Sequence, residues 1–187
     1  MTTTHIDPRI TRTKKLLMDA FRDIAKEKKL QTITVKDITE RATVNRATFY
    51  AHFYDKYDIM DYTLSETILK NLNDNLTLSS ELNDETLCKT FITITSYIEE
   101  THNECKLNSV AYGEVVEKRV KEELEDIFLT LIVQKHPTED REALATSARF
   151  LSWGLYGTAK HWFHTSNTSA RNYIEKALPL FMSQVLK

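Results

Sequence analysis

Arg46, Thr48, Tyr50 and His52 lie within a span of seven residues and offer a guanidinium, a hydroxyl, a phenol and an imidazole with no carboxylate among them. Such a set donates hydrogen bonds and presents flat rings, which is the chemistry that reads base edges and phosphates on a duplex. An acidic protein surface could accept the same face. Either use requires that the four project from one rigid element, and the flanking residues supply it. Thr34 with Asp37 three residues on forms a capping box, which predicts a helix from Val35 to about Ala42. Asn45 is a second cap, and it predicts another helix from Arg46 to about His52. Val35, Ile38 and Ala42 share one face of the first helix, and Ala47, Phe49 and Phe53 are expected to pack against it. Two short helices around one small core describe a helix-turn-helix, of which the second helix is the reading element.

The run ITERATVNRATFYAHFYDK, residues 38–56, resembles the DNA-binding signature of the tetracycline-repressor (TetR) family, and the likeness extends from about Ile10 to Leu64. Ala42, Val44, Thr48, Phe49, Tyr50, His52, Phe53 and Lys56 stand where that pattern places them. The resemblance implies an all-helical, homodimeric transcription factor. Its DNA-contacting residues would be Thr34, Asn45, Arg46, Thr48, Tyr50, His52 and Lys56, with Lys56 on a phosphate. One position departs from the pattern: the turn glycine of the family is Thr43 here, and a β-branched residue is costly in a left-handed conformation.

The composition agrees with a helical reader of DNA. The 187 residues include only 3 Gly and 3 Pro, too little punctuation for a sheet protein, and 41% are hydrophobic, enough to fill a core. The net charge of −2 divides unevenly: residues 1–60 hold 12 Lys+Arg and 8 Asp+Glu, net +4, and residues 61–187 hold 13 and 19, net −6. A basic head, 1–60, and an acidic body, 61–187, keep the body off the phosphates. Two cysteines, Cys88 and Cys105, are too few for a disulfide framework, and no secretory leader or membrane-length apolar run is evident, so a cytoplasmic location is expected.

Along the chain, a polar arm to Pro8 precedes a helix from about Arg9 to Lys29 that buries Leu17, Phe21 and Ile24. Arg9, Arg12, Lys14 and Lys15 at its start are either a solvated face or phosphate contacts. Asp55, with Asp58, caps a helix from Lys56 to about Leu76, striped by Ile59, Leu64, Ile68 and Leu72 and shared by head and body. Lys56 in its first turn opposes the helix dipole, which suggests a separate use for that charge. After a linker, Thr77 to Asn83, Asp84 caps a helix carrying Leu87, Phe91, Ile94 and Ile98. Residues 107–112 and 114–133 form one or two more helices. Thr138 caps a long helix to about His164, striped by Leu144, Ala148, Leu151, Leu155, Ala159 and Trp162. A last helix starts at Thr168 or Ser169 and is kinked by Pro179.

In the body, Gly154 and Gly157 each cost about 1 kcal/mol inside a helix, which implies close approach of another helix or a ligand. The run from Gly154 through Gly157 to Trp162 is similar to the C-terminal region of one branch of TetR-like regulators, whose last two helices build the dimer interface. That resemblance implies a homodimer through Leu151, Leu155, Ile174, Leu178 and Phe181. Phe91, Tyr97, Tyr112, Phe128, Phe150, Trp153, Tyr156 and Trp162 are either plain core or the lining of a pocket for a small apolar or aromatic effector. His161 and His164 share a helix face but nothing fixes a third ligand, so no metal is expected; nor is any cofactor. No phosphate-cradling glycine loop or nucleophile elbow is present, and no enzyme is expected. The leading expectation is a repressor released from a palindromic operator by a small molecule. The alternatives are a regulator whose body docks a partner protein, or a helical enzyme or sensor.

Overall fold

The computed structural model describes residues 8–75, 81–104 and 108–185. The predicted arm before Pro8, most of the predicted linker and Cys105 fall outside them. The described residues are helical as expected: α1 (Pro8–Glu27), a 3₁₀ turn (Leu30–Thr32), α2 (Val35–Arg41), α3 (Arg46–Tyr50), α4 (Lys56–Asn75), α5 (Asp84–Glu104), α6 (Ser109–Lys135), α7 (Arg141–Thr165), α8 (Ala170–Glu175) and α9 (Leu178–Val185). They fall into two compact units, one within residues 1–64 and 104–112, the other within 65–103 and 113–187. The division differs from a cut at residue 60 in one respect that matters below. The first turn of α6 belongs with the head, so α4 and α6 are both divided between the units.

The head is built around Phe49, which is fully buried among Leu17, Phe21, Ile24, Leu30, Ile33, Ile38, Phe53 and Ile59, all at most 3% exposed. A buried phenylalanine in such a core is worth roughly 3–5 kcal/mol against alanine, so this ring and its neighbours set how α2 and α3 meet. Phe49 and Phe53 lie 5.9 Å apart, and Phe53 meets Tyr62 edge-on at 5.7 Å. One expected core member is displaced: Ala47 is exposed, and Thr39 is buried at the α2 side of the contact, its hydroxyl donating to the Lys36 carbonyl. A five-residue helix has room for one inward position per turn, and Phe49 takes it.

Both predicted head caps form. The Thr34 and Asp37 side chains exchange hydrogen bonds with one another's backbone N–H, and Asn45 accepts from the Thr48 N–H. Between them, α2 ends in a Schellman motif: the Val44 N–H donates to the Thr39 carbonyl at 3.0 Å and the Thr43 N–H to that of Glu40 at 3.2 Å. The geometry requires a left-handed residue at position 43, and Thr43 supplies it at φ 56°. Thr43 thus adopts the conformation for which glycine is the unstrained choice.

In the body, Leu87, Phe91 and Ile94 of α5, Val120, Leu124 and Phe128 of α6, and Ala148, Leu151, Leu155 and Ala159 of α7 make the core. Arg149 holds Glu125 through two bonds, at 2.6 and 3.1 Å, and Glu117 accepts from Lys121 at 2.6 Å and Lys160 at 2.7 Å, so α6 and α7 are tied twice. Several boundaries differ from expectation. Asn83 caps α5 and Asp140 caps α7, in place of Asp84 and Thr138. In each case the capping residue is the one just before the first helical N–H, and Asp84 instead adds its charge to the first turn. Helix α6 continues unbroken through Gly113. The last predicted helix is broken instead of kinked, at Lys176 and Ala177, because Pro179 lacks an N–H and its ring collides with the carbonyl four residues back.

Replacing Thr43 with glycine is expected to stabilise the protein. Relief of about 1–2 kcal/mol of left-handed strain outweighs the roughly 0.5–1 kcal/mol of extra chain entropy, so the melting temperature should rise by about 1–3 °C. Calorimetry that found no rise would show that Thr43 is not strained.

Candidate nucleic-acid interface

Helix α3 presents its outer face as a consequence of the cap and of Phe49. Asn45 Oδ1 accepts from the Thr48 N–H at 2.7 Å and from the Thr48 hydroxyl at 2.9 Å, which fixes the first turn and commits the hydroxyl proton. Arg46 is exposed, as are Ala47 and Ala51, while Thr48 and His52 are half-buried. Tyr50 is 59% exposed although its ring rests edge-on against Phe49, 5.5 Å away at 88°, so the phenol is aimed outward from a fixed base. The face therefore combines a guanidinium, a phenol and an imidazole with two methyl groups, and methyl groups are what the thymine C5-methyl meets in a major groove. Sequence patterning had assigned Ala47 to the core. Only the direction of Phe49 shows that it belongs to this face.

The carboxylates nearest in sequence are engaged elsewhere. Asp55 caps α4 by accepting from the Tyr57 and Asp58 N–H groups, and Asp58 accepts from the Tyr54 N–H at 2.7 Å. That last bond fixes the backbone of Tyr54, whose ring is 84% exposed, with Tyr57 51% exposed beyond it. Neither tyrosine was singled out in the sequence; an aromatic at the seam between two helices carries no periodic signal.

Two expected DNA contacts make bonds within the chain. Thr34 gives both its N–H and its hydroxyl to Asp37 Oδ2, each at 2.8 Å, leaving no donor for a phosphate. Asp37 also receives Lys28 at 2.7 Å, and the bonds from Lys28 and Thr34 hold its carboxyl down at about 2. Lys56 is engaged more fully. Its ammonium donates to the carbonyls of Leu30, Gln31 and Ile33 at 2.8, 2.9 and 3.0 Å, so all three N–H bonds are spent on the turn before α2. Lys14 lies over the Tyr62 ring at 4.0 Å, a cation–π contact that neither a solvated face nor a phosphate contact describes. Arg12 and Lys15 on the same helix are exposed.

The body residues also sort differently from expectation. Of the expected pocket aromatics, Tyr112 belongs to the head, stacked on Phe21 with the rings 9° from parallel. Phe150 and Trp153 stand on the outside of α7, 66% and 54% exposed. Phe91, Tyr97, Phe128 and Tyr156 are buried, and burial pushes the Tyr156 phenol well above its usual range. Trp162, half-buried, donates its Nε1–H to the Thr168 carbonyl. The eight therefore do not line one cavity. Of the expected dimer residues, Leu151, Leu155, Ile174 and Leu178 are buried within the chain and Phe181 is half-buried. A cleft of about 240 Å³ in the body is lined by Asp84, Glu85, Cys88, Lys89, Arg171, Glu175, Leu178 and Pro179, a charged lining and a volume below the usual range for small-molecule sites. Among the described residues no group of His, Cys, Asp and Glu is arranged to hold a metal ion, and no helix is long and apolar enough to cross a membrane.

Comparison with known proteins places this geometry. Residues 17–63 match the family model described as bacterial regulatory proteins, tetR family. The chain is 36% identical over 83 residues to an HTH-type transcriptional regulator of Bacillus subtilis (strain 168), YxbF, whose own activity is uncharacterized. It is 29% identical over 63 residues to DhaS, the transcriptional activator of the dhaKLM operon in Lactococcus lactis subsp. lactis (strain IL1403). These matches take in 44% and 34% of this chain and span only 22% and 34% of the length of the two relatives. Over the whole fold the chain is similar to a structure of the dihydroxyacetone kinase operon activator DhaS, with TM-score 0.60 and 15% identity over 93% of this chain and 96% of that one. It is also similar to the Bacillus subtilis regulator FadR in complex with stearoyl-CoA, with TM-score 0.58 and 15% identity over 91% of this chain and 98% of that one.

Lys56→Met should separate scaffold from DNA contact. Loss of three charge-assisted bonds, two of them part-buried, is expected to lower stability by about 1.5–3 kcal/mol. If Lys56 does not hold a phosphate, the salt dependence of DNA binding by the folded variant keeps the wild-type slope; a slope flattened by about one unit would return Lys56 to the phosphates.

Proposed function

By its DNA-binding domain the chain belongs to the tetR family of bacterial regulatory proteins, and from that premise we propose that it is a homodimeric transcriptional repressor. In this reading α3 enters the major groove of a palindromic operator, and a small molecule bound in the body releases it. The observation that carries the reading is the outer face of α3, where Arg46, Ala47 and Tyr50 are exposed, Thr48 and His52 are half-buried, and the Asp55 and Asp58 carboxylates that follow are bonded to backbone amides. Arg46 suits a guanine edge, Ala47 a thymine methyl, and Tyr50 with His52 the flanking edges or sugars. Asn45 serves chiefly by holding the first turn. Phosphate contacts pass from Thr34 and Lys56 to the exposed Tyr54, Tyr57, Arg12 and Lys15, and hydroxyls and cations at the rim of a reading helix are the groups that set its register.

A five-residue helix covers too few base pairs for useful selectivity, so two copies must read together. The face that a second copy fits lies on α7. Phe150, Trp153, Gly154 and Gly157 fall at helical spacing on its exposed side, and a Cβ built at either glycine meets nothing within 4 Å. Among the described residues no side chain packs against the open side of these glycines, and exposed Leu180 of α9 adds to the apolar surface. Close approach of the same face of a second subunit accounts for both the glycines and the aromatics.

The effector would be apolar. FadR is a fold neighbour solved with stearoyl-CoA, and the aromatics enclosed by this body, Phe91, Tyr97, Phe128 and Tyr156, are the ones a ligand would part. A second reading, activation of transcription, is favoured by the likeness in both sequence and fold to DhaS. In vitro transcription from a promoter carrying the selected site distinguishes the two by the sign of the response.

Selection on random duplexes with the purified chain should yield a palindromic site. Arg46→Ala and Tyr50→Ala should each weaken binding to it by about 1–3 kcal/mol with unchanged melting temperatures; wild-type affinity in both variants would overturn the docking of α3. Trp153→Glu should convert a sedimenting dimer to a monomer, whereas a variant that remains dimeric would move the interface off α7.

A further inference from the structure

Thr43 is placed where local physics disfavours it. Among the described residues it is the one non-glycine residue at positive φ, 56°, and a β-branched side chain is among those least suited to that conformation. The Schellman turn explains why position 43 is left-handed, but glycine would close the same turn without strain. A strained residue that the turn itself does not require points to a use outside the fold.

The hydroxyl of Thr43 differs from those around it. Thr32 donates to the Lys29 carbonyl, Thr34 to Asp37, Thr39 to the Lys36 carbonyl and Thr48 to Asn45, each three residues away. Those four protons are committed. Thr43 is exposed, its backbone N–H goes to the Glu40 carbonyl, and among the described residues its hydroxyl has no partner. Of these five threonines, the strained one keeps its proton.

Its place supplies an acceptor. In a helix-turn-helix the first helix crosses the sugar-phosphate backbone and the N-terminal residues of the second enter the major groove, so the turn between them passes the strand that borders the groove. Position 43 lies in that turn, two residues after α2 ends at Arg41 and three before α3 begins at Arg46. Three residues span at most about 11 Å, which keeps Thr43 at the rim while Arg46 enters. We propose that Thr43 is a DNA-contact residue, its hydroxyl donating to a backbone phosphate at the edge of the groove, and that its left-handed strain is retained for that bond. The inference rests on the DNA-reading function proposed above and adds an uncharged contact to it. A hydroxyl releases no counterion, so the bond contributes affinity and register without steepening the salt dependence.

The test compares stability with affinity in the full-length protein, on the duplex that the wild type selects. Thr43→Val keeps the shape and the strain and removes the donor. Its melting temperature should stay within about 2 °C of wild type. Its affinity should fall about tenfold at an unchanged salt slope, because a two-fold dimer loses the bond twice. Thr43→Asn, which tolerates the left-handed region and carries an amide donor, should melt higher than wild type and bind within about threefold of it. Thr43→Gly should also melt higher but bind as weakly as the valine variant. Replacing the phosphates that border the site with uncharged methylphosphonates, one at a time, locates the acceptor: at one position in each half-site the loss should be larger for wild type than for Thr43→Val. Wild-type affinity in Thr43→Val, or methylphosphonate losses that are the same in both proteins at every position, overturns the inference. So does the pattern of a purely steric role, in which the valine variant binds as wild type does and the asparagine and glycine variants are both weakened. Arg46→Ala separates the two levels: if it weakens binding while Thr43→Val does not, the reading face stands and the Thr43 contact alone falls. If the wild type selects no duplex, the DNA-reading function fails and this inference with it.

Discussion

The structure of the head depends on how one short turn is held. Residues 30–33 join a long helix to the helix-turn-helix through a 3₁₀ turn in which the Leu30 carbonyl accepts the Ile33 N–H at 3.2 Å. The Lys56 ammonium takes three carbonyls of this segment. This explains a charge that is locally out of place. A cation in the first turn of a helix opposes the dipole by a few tenths of a kcal/mol, roughly, but three carbonyls, two of them in part-buried bonds, accept charge-assisted hydrogen bonds from it and offset that cost. The lysine is therefore stabilised by the turn it clasps, and α4 is thereby bolted to the approach of α2. With that geometry fixed, Phe49 can enter the core and the rest of α3 must face outward.

The same logic of satisfied carboxylates gives the reading face its electrostatic character. Residues 1–60 carry eight acidic residues, enough to oppose DNA if they were free. Asp37 is tied to Lys28 and Thr34, Glu27 to Arg41, Asp55 and Asp58 to backbone amides. Each of these bonds is worth little on the surface. Their joint effect is on function more than on stability, because they hold negative charge away from the outer side of α3 and leave Arg46 unopposed.

In the body, polar and apolar surfaces are arranged for association. Charged pairs, Arg149 with Glu125 and Glu117 with two lysines, seal α6 to α7. The outer side of α7 carries Phe150, Trp153 and two open glycines. A helix that is sealed on one side by ion pairs and left apolar on the other suits the dimer interface proposed for α7. The Lys121 ammonium lies 4.6 Å over the Trp153 ring, which holds the indole in place before any partner arrives.

What the sequence determined by itself was whatever depends on neighbours three or four residues away. The capping box at Thr34, the cap at Asn45, the stripes of α1, α4 and α7, the all-helical class and the left-handed demand on Thr43 were all legible, because spacing along a helix is spacing in space. The motif also gave Arg46, Tyr50 and His52 of the proposed reading face. Tertiary structure alone decided the employment of polar groups that have partners far along the chain. Lys56 bonds carbonyls 23 to 26 residues back, and Asn108 reaches 78 to 83 residues back to complete the head. No periodicity encodes such pairs. It also decided which side of α7 is inside. Phe150 and Leu151, or Trp153 and Leu155, are adjacent apolar residues on a helix that is apolar over more than half its circumference, and hydrophobicity alone cannot choose between them. Packing against α6 made the choice, burying the leucines and leaving the aromatics to the surface.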